Sequence, residues 1–349
     1  MSGRDALNPK RLGVVLFQLG GPDSLDAVEP FLFNLFSDPD IIDFPFARLA
    51  RQPLARLVAR NRAGKVKKHY AEIGGASPLI ELTRRQAVAL EQELSTCIAA
   101  RVFVAMRYWH PLTEEAVAAV ARERFDHLVL LPLYPQYSRV TTGSSLNEWN
   151  RRYQGAGNHL PVAVIPHFFQ HPLYLDALAE NINQSLTRFP VGAEVHLLFS
   201  AHGVPESVIQ EGDPYQEQTE ATVRLVMECG GWSNPSSLCY QSKVGPGRWL
   251  GPMLHSTLER LRAGGSRNVL VIPISFVTDH IETLHEIDLE AREQAARLGF
   301  SRFEMMPALN DSPAFIRALA DLVLKAQRLE LSKGADRLLT LASADTIES

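Results

Sequence analysis

The chain has 349 residues, of which 46% are hydrophobic and 21% charged, so it carries a full globular core, and its length favours two domains. A formal charge of −4 gives no electrostatic case for a nucleic-acid partner. The three cysteines, Cys97, Cys229 and Cys239, are widely spaced and form no CxxC pair, which excludes a disulfide framework or a structural zinc site and indicates a reducing compartment.

In chain order, the polar start leads into an apolar run of only eight residues, 12–19, without the pattern of a signal peptide. No apolar run approaches the length of a membrane span. The run at 12–19 reads as a strand. Gly20-Gly21-Pro22 follows it and reads as a tight turn, because no G-x-G-x-x-G accompanies it. The spacing of Leu25, Val28, Phe31, Leu32, Leu35 and Phe36 predicts a helix over 24–36. Segment 41–68 mixes apolar residues, including Phe44 and Phe46, with eight basic residues from Arg48 to Lys68. Such a basic amphipathic segment can lie on an anionic membrane, cover an apolar ligand, or simply present a solvated face.

Further strands are expected at 102–106, 127–133, 161–166, 195–200, 237–242, 268–275 and 303–306, with amphipathic segments between them, such as a helix over 214–229. That alternation implies parallel sheets covered by helices, an α/β protein with two similar halves. The boundary falls near Gly155-Ala156-Gly157-Asn158, giving halves 1–158 and 159–312. A final helix over 313–335 is expected to pack back on the first half, with a frayed tail at 336–349. Cys97 falls in an amphipathic pattern and is expected to be buried.

Most of the unusual residues follow strands. In open parallel sheets, the crevice beyond the carboxyl ends of the strands is where ligands bind. His202 stands at such an end, where a neutral imidazole can take a proton near pH 7. Asp279, Glu282, Glu286 and Glu290 follow the strand at 268–275, at spacings that share one face of an α-helix. Crowded carboxylates raise one another's pKa, which suits proton exchange or a hard cation. The plain alternatives are a capping box of Asp279 with Glu282 and a solvated face for Glu286 and Glu290. His280 and His285 flank the row, and His285 reads as an ordinary packed or surface histidine.

Taken together, these motifs resemble the ferrochelatase family. They are Leu198-Phe-Ser-Ala-His202-Gly-Val-Pro205, Gly212-Asp-Pro-Tyr215, Gln241-Ser-Lys-Val-Gly-Pro246, Trp249-Leu-Gly-Pro252 and Asp279-His-Ile-Glu-Thr-Leu284. Gly20-Gly-Pro22, Ile73-Gly-Gly-Ala-Ser-Pro78, Arg107-Tyr108, His110-Pro-Leu-Thr-Glu-Glu115 and Tyr134-Pro-Gln-Tyr-Ser138 add to the match, in the expected order from about residue 12 to 325. The resemblance implies insertion of Fe²⁺ into protoporphyrin IX to give protohaem. It also implies two Rossmann-like domains, each a four-stranded parallel sheet flanked by helices, with the active-site cleft between them.

By the same resemblance, His202 takes pyrrole protons or meets the metal, and Glu282 is its partner acid across the cleft. These two would be the metal-facing pair. Glu286, Glu290 and Asp279 would complete the catalytic acids. Leu19, Arg107, Tyr108, Tyr134, Ser138, Trp249, Phe276 and His280 would bind the porphyrin. The segment from about 41 to 75 would be a lip over the macrocycle that can touch membrane on an otherwise cytoplasmic protein, monomeric or homodimeric. Residues 141–147 resemble the protoporphyrin-using branch more than the coproporphyrin-using one.

Animal members hold a [2Fe–2S] cluster on four cysteines, one at the position of Arg139, so no cluster and no permanently bound cofactor is expected here. Gly203 stands where a serine is common, a small-for-small change. The competing readings are a coproporphyrin III ferrochelatase, a chelatase for a more carboxylated tetrapyrrole, and a non-catalytic tetrapyrrole or haem carrier.

Overall fold

The computed structural model describes residues 11–41, 47–155, 160–243 and 247–344. Among them, eight strands form two all-parallel four-stranded sheets. The first contains β1 (Arg11–Gln18), β2 (Ala99–Met106), β3 (His127–Pro132) and β4 (Val162–Val164), in the order β2-β1-β3-β4. The second contains β5 (His196–His202), β6 (Ser236–Gln241), β7 (Asn268–Pro273) and β8 (Arg302–Met305), in the order β6-β5-β7-β8. Each expected strand is present to within a few residues. The two sheets have the same topology, and each reverses its winding between its first and third strands, which places a ligand crevice there.

Strand periodicity explains the layers. Leu12, Val14 and Leu16 face one side of the first sheet, while Val15 and Phe17 face the other. In the second sheet, Leu197, Phe199, Leu270 and Ile272 face inward, and Leu198, Val269 and Val271 outward. The inner faces of both sheets belong to one continuous buried core. Ala87, Leu90 and Leu94 of helix Leu79–Ser95, Tyr174 and Leu178 of helix Pro172–Leu186, and Phe315, Leu319 and Val323 of the last helix fill it. Each of the leucine, valine and phenylalanine side chains among them contributes about 1.5–3 kcal/mol over remaining exposed. The division near residue 158 therefore separates two sheets but not two cores. Residues 156–158 of the expected boundary lie outside the described residues.

Some local expectations need revision. The last helix runs Pro313–Ala344, past the end expected at 335, and packs against helices Leu79–Ser95 and Pro172–Leu186 and strands β3 and β4. Cys97 is exposed, because helix Leu79–Ser95 ends two residues before it and the chain turns into β2. Cys229 does end a helix, Tyr215–Gly230, and Cys239 is buried in β6. Gly20, at φ +87°, makes the turn after β1, and a Cβ on Gly21 would collide with Ser77. Both glycines therefore serve the close approach of backbone that a tight turn needs.

The basic segment forms helix Ala47–Glu72. It seats Ala55, Ala59 and Ala63 inward, beside Phe31 and Leu32 of helix Val28–Phe36, and leaves Leu54 and Leu57 exposed. Arg56 and Arg62 lie over Phe33 and Phe36 at 5.4 and 5.6 Å, so two of its cations pack on aromatic faces. Phe44 and Phe46 lie outside the described residues.

Candidate active site

The carboxyl ends of both sheets meet. Gln18, the last residue of β1, donates to Thr278 Oγ1 at 3.3 Å, and Gln136 beyond β3 donates to the Ile274 carbonyl at 3.2 Å. Gln86 donates to Thr278 Oγ1 at 3.0 Å and to the Asn310 carbonyl at 2.8 Å. Leu19 from the first half and Ile281 from the second pack on the same apolar cluster.

At the reversal point of the second sheet stands His202, the last residue of β5. Its backbone is fixed twice: the N–H donates to Ser275 Oγ at 2.9 Å, and the Tyr215 hydroxyl donates to its carbonyl at 2.9 Å. Its Nδ1 lies 2.8 Å from Glu282 Oε2, so the two side chains meet directly and do not face each other across the cleft as expected. The side chains keep 32% and 20% of their exposure, enough to be reached from solvent. Phe276 stands beside both histidines of the site, with its ring 6.2 Å from His202 and 4.4 Å from His280. His280 Nε2 is 3.8 Å from Glu282 Oε2.

Electrostatics separates the acids. Burial opposes charge on Glu282, but the neighbouring His202 and His280 outweigh it and hold the carboxyl far below its ordinary range. Burial likewise opposes charge on His202, yet Glu282, with Glu286 behind it, holds the imidazole above its ordinary 6.5. Glu286 moves the other way: burial first and then Glu282 raise it, although Ser242 donates to its carboxylate through both N–H and hydroxyl. Titratable neighbours driven apart in this way make a distinct acid and base.

These residues are borne on a π-helix, Glu282–Ala291, where the spacing alone predicts an α-helix. Single π-turns are rare and cluster at functional sites. The capping-box alternative fails, because residue 281 precedes the helix with no side-chain cap and Glu282 is engaged with His202. Asp279 departs from the catalytic row. Its Oδ1 accepts from the Thr283 hydroxyl and Ala308 N–H, at 3.0 and 3.2 Å, and its Oδ2 from Asn310 Nδ2 at 2.8 Å. Both oxygens are occupied, so Asp279 positions the turn into the π-helix. Glu290, at the outer end, lies 3.8 Å from His285 Nδ1.

The first half contributes differently. Its Tyr134, like Trp249 of the second half, is half-buried, as wall residues would be. Tyr108, however, is buried, with its hydroxyl donating to Asp38 at 2.5 Å. Arg107 donates to Asp38 at 2.8 Å and to Ser144 Oγ at 2.8 Å. Ser138 is buried and donates to Asp213 at 3.0 Å, tying the two halves together. Tyr108 and Ser138 therefore serve as packing and anchor, not as groups offered to a ligand. A Cβ on Gly203 would stand 2.9 Å from the Gln241 carbonyl, a tighter fit than a small-for-small exchange assumes. Asp38 and Ser275 were not singled out from the sequence, and Tyr215 was given no role. Their partners are distant in the chain, and only the Gly212–Tyr215 motif marked one of them.

The comparisons with known proteins agree with this geometry. The family model described as ferrochelatase matches residues 11–327. A ferrochelatase of Geobacter metallireducens is 52% identical over 318 residues, covering 91% of this chain and 99% of the relative. One from Synechocystis sp. is 48% identical over 318 residues, covering 90% and 82%. The solved structure of SirB from Bacillus subtilis with Fe³⁺ superposes with a TM-score of 0.53 at 10% identity, covering 91% of this chain and 95% of that one, a likeness of fold. On the match across its length and its identity to these relatives, the chain belongs to the ferrochelatase family, the porphyrin metal chelatases of the lyase class.

Proposed function

We propose that this protein inserts Fe²⁺ into protoporphyrin IX, releasing two protons and forming protohaem, the terminal step of haem biosynthesis. The observation that carries the reading is the His202–Glu282–Glu286 constellation at the reversal point of the second sheet, with the histidine and the inner acid raised and the paired acid lowered.

The chemistry makes three demands. A planar porphyrin carries two inner N–H groups that block the metal, so the ring must bend and both protons must leave. Rigid walls, here Leu19, Tyr134, Trp249 and Phe276, convert binding energy into distortion of the ring. Glu282 fixes His202 through Nδ1, leaving Nε2 to accept a pyrrole proton as the N–H bond breaks. The same carboxylate stabilises the imidazolium that results. Glu286, raised towards neutrality, can accept and pass on a proton. Exchangeable oxygen and nitrogen donors suit a metal that must leave with the product, whereas thiolates would retain it.

The chemistry itself calls for no resident cofactor, and the three cysteines are dispersed: Cys97 in the turn before β2, Cys229 in helix Tyr215–Gly230 and Cys239 in β6. Arg139 pairs with Glu211. Exposed Leu54 and Leu57 beside Arg56 and Arg60 support peripheral contact with an anionic membrane surface. Among the described residues no helix is long and apolar enough to cross a membrane.

The test is anaerobic mixing of the purified protein with Fe²⁺ and either protoporphyrin IX or coproporphyrin III. The proposal expects the protohaem spectrum to form with turnover and protoporphyrin to be preferred. Preference for coproporphyrin would overturn the substrate assignment, and stoichiometric binding without turnover would make the protein a carrier.

A further inference from the structure

Ser242, the residue directly after β6, has φ +65°, in the left-handed region where glycine and asparagine are at home and serine is uncommon. The strand end beneath it is anchored. Gln241, 1% exposed, accepts the Ser200 hydroxyl on its side-chain oxygen at 2.6 Å and the Gly203 N–H on its carbonyl at 2.8 Å. Both partners lie on or directly after β5, and Gln241 is the register partner of His202 across the sheet.

The left-handed turn aims two donors of one residue at one carboxylate. The Ser242 N–H donates to Glu286 Oε1 at 2.8 Å, and its hydroxyl donates to Oε2 at 2.5 Å. Each oxygen of Glu286 thus accepts one bond, which fixes both the place and the plane of the carboxylate. Glycine would relieve the backbone but has no hydroxyl, so a serine at this strained position serves the second bond.

We propose, on the reading of Glu286 as a proton acceptor, that Ser242 is a positioning residue for metal insertion, clamping Glu286 beside the His202–Glu282 pair. Neighbouring strands lie about 4.8 Å apart, so a clamp on β6 sets the acceptor at a fixed offset from the base on β5. A proton acceptor works within about 2.6–3.2 Å of its donor or through one water, a reach that a freely rotating glutamate would lose. A proton given up by the His202 imidazolium then leaves neutral imidazole and a Glu286 carboxyl, which water returns to the carboxylate. Burial and Glu282 press Glu286 towards its neutral form, and the two Ser242 donors oppose them, so the clamp also favours the anion that can take a proton.

The test is a double-mutant cycle on the full chain, with Fe²⁺ and protoporphyrin IX as substrates: Ser242→Ala, Glu286→Gln and the two together. Ser242→Ala should lower kcat about tenfold and leave KM for porphyrin within about twofold, because the acceptor acts after binding. In the Glu286→Gln background the same substitution should change kcat by less than about twofold, as expected of a residue that acts through its partner. Losses that multiply independently would overturn the clamp and leave the role of Glu286 standing. A rise in KM with kcat unchanged would overturn it too, and would make Ser242 a contact of the porphyrin. Wild-type turnover in Glu286→Gln would overturn the proton acceptor and the clamp with it. Ser242→Gly separates function from folding. Glycine accepts φ +65° and keeps the N–H, so this variant should melt no lower than Ser242→Ala and still lose turnover. A Ser242→Gly protein as active as the wild type would overturn the proposal.

Discussion

The two sheets share one strand order but use their carboxyl ends differently. Beyond the first sheet, charged and polar groups are consumed by one another: Asp38 receives Arg107, Tyr108 and Ser144, and Ser138 is held by Asp213. Beyond the second sheet, His202, Glu282 and Glu286 remain reachable and have displaced pKa values. One end is a satisfied wall and the other a reactive edge. The same topology therefore does not dictate the same task, and the chemistry resides in which side chains are left with capacity to spare.

If that division is right, the largest effect comes from His202→Ala. Turnover should fall by about 10²–10⁴-fold, the span a general base supplies, while porphyrin binding and melting temperature stay near those of the wild type. Activity within a few-fold of wild type would place the reactive edge elsewhere. Glu282→Gln should also lower turnover severely, and Glu286→Gln or Glu290→Gln less so.

The first half should break in the opposite manner. Asp38→Ala leaves the largely buried Arg107 guanidinium without its partner, at a cost of about 3–5 kcal/mol in stability. Chemical denaturation measures this, and correctly folded protein should keep its turnover. If stability is intact and turnover is lost, the wall is itself catalytic.

The acid–base contrast has a pH signature. His202 is raised in the folded state, so its contribution to stability is fully present below its ordinary 6.5 and is lost as pH rises through the raised value. Glu282 is lowered, so its contribution is present above its ordinary 4.5 and is lost as pH falls through the lowered value. Their joint stabilisation is therefore complete between those two ordinary values and declines on both sides. Glu282→Gln should flatten the dependence of melting temperature on pH on both sides of that window. It should also move the acid limb of kcat/KM to lower pH, because His202 loses the anion that raises it. An unmoved limb would assign it to another group.

The smallest expected effect concerns the lip. Leu54→Ser with Leu57→Ser should weaken binding to anionic vesicles, which should itself fade with salt. Co-sedimentation across a salt series measures both. A lip that never binds such vesicles serves the substrate alone.

The strands were legible because buried parallel strands are short apolar runs ended by glycine, proline or polar residues, and 196–202 and 268–273 follow that pattern closely. His202 and the carboxylate row could be found because they stand directly after such runs. The π-helix could not, since residues spaced by four share a face in either helix type. The direct meeting of His202 with Glu282 was also hidden, as it depends on how the loop after β7 folds back over β5. Asp38 reads locally as a turn residue between Ser37 and Pro39. Its three partners come from two later segments, and no local pattern announces a buried anion.

The common core of the two sheets has a mechanical consequence. Swinging the halves apart would bring Leu16, Phe199, Leu270 and the helices between them into water, at about 25 cal/mol for each Å² exposed. The frame around the cleft therefore behaves as a stiff vice. A flat ring bound in the cleft would meet jaws that do not yield, so the guest would change shape and the host would not.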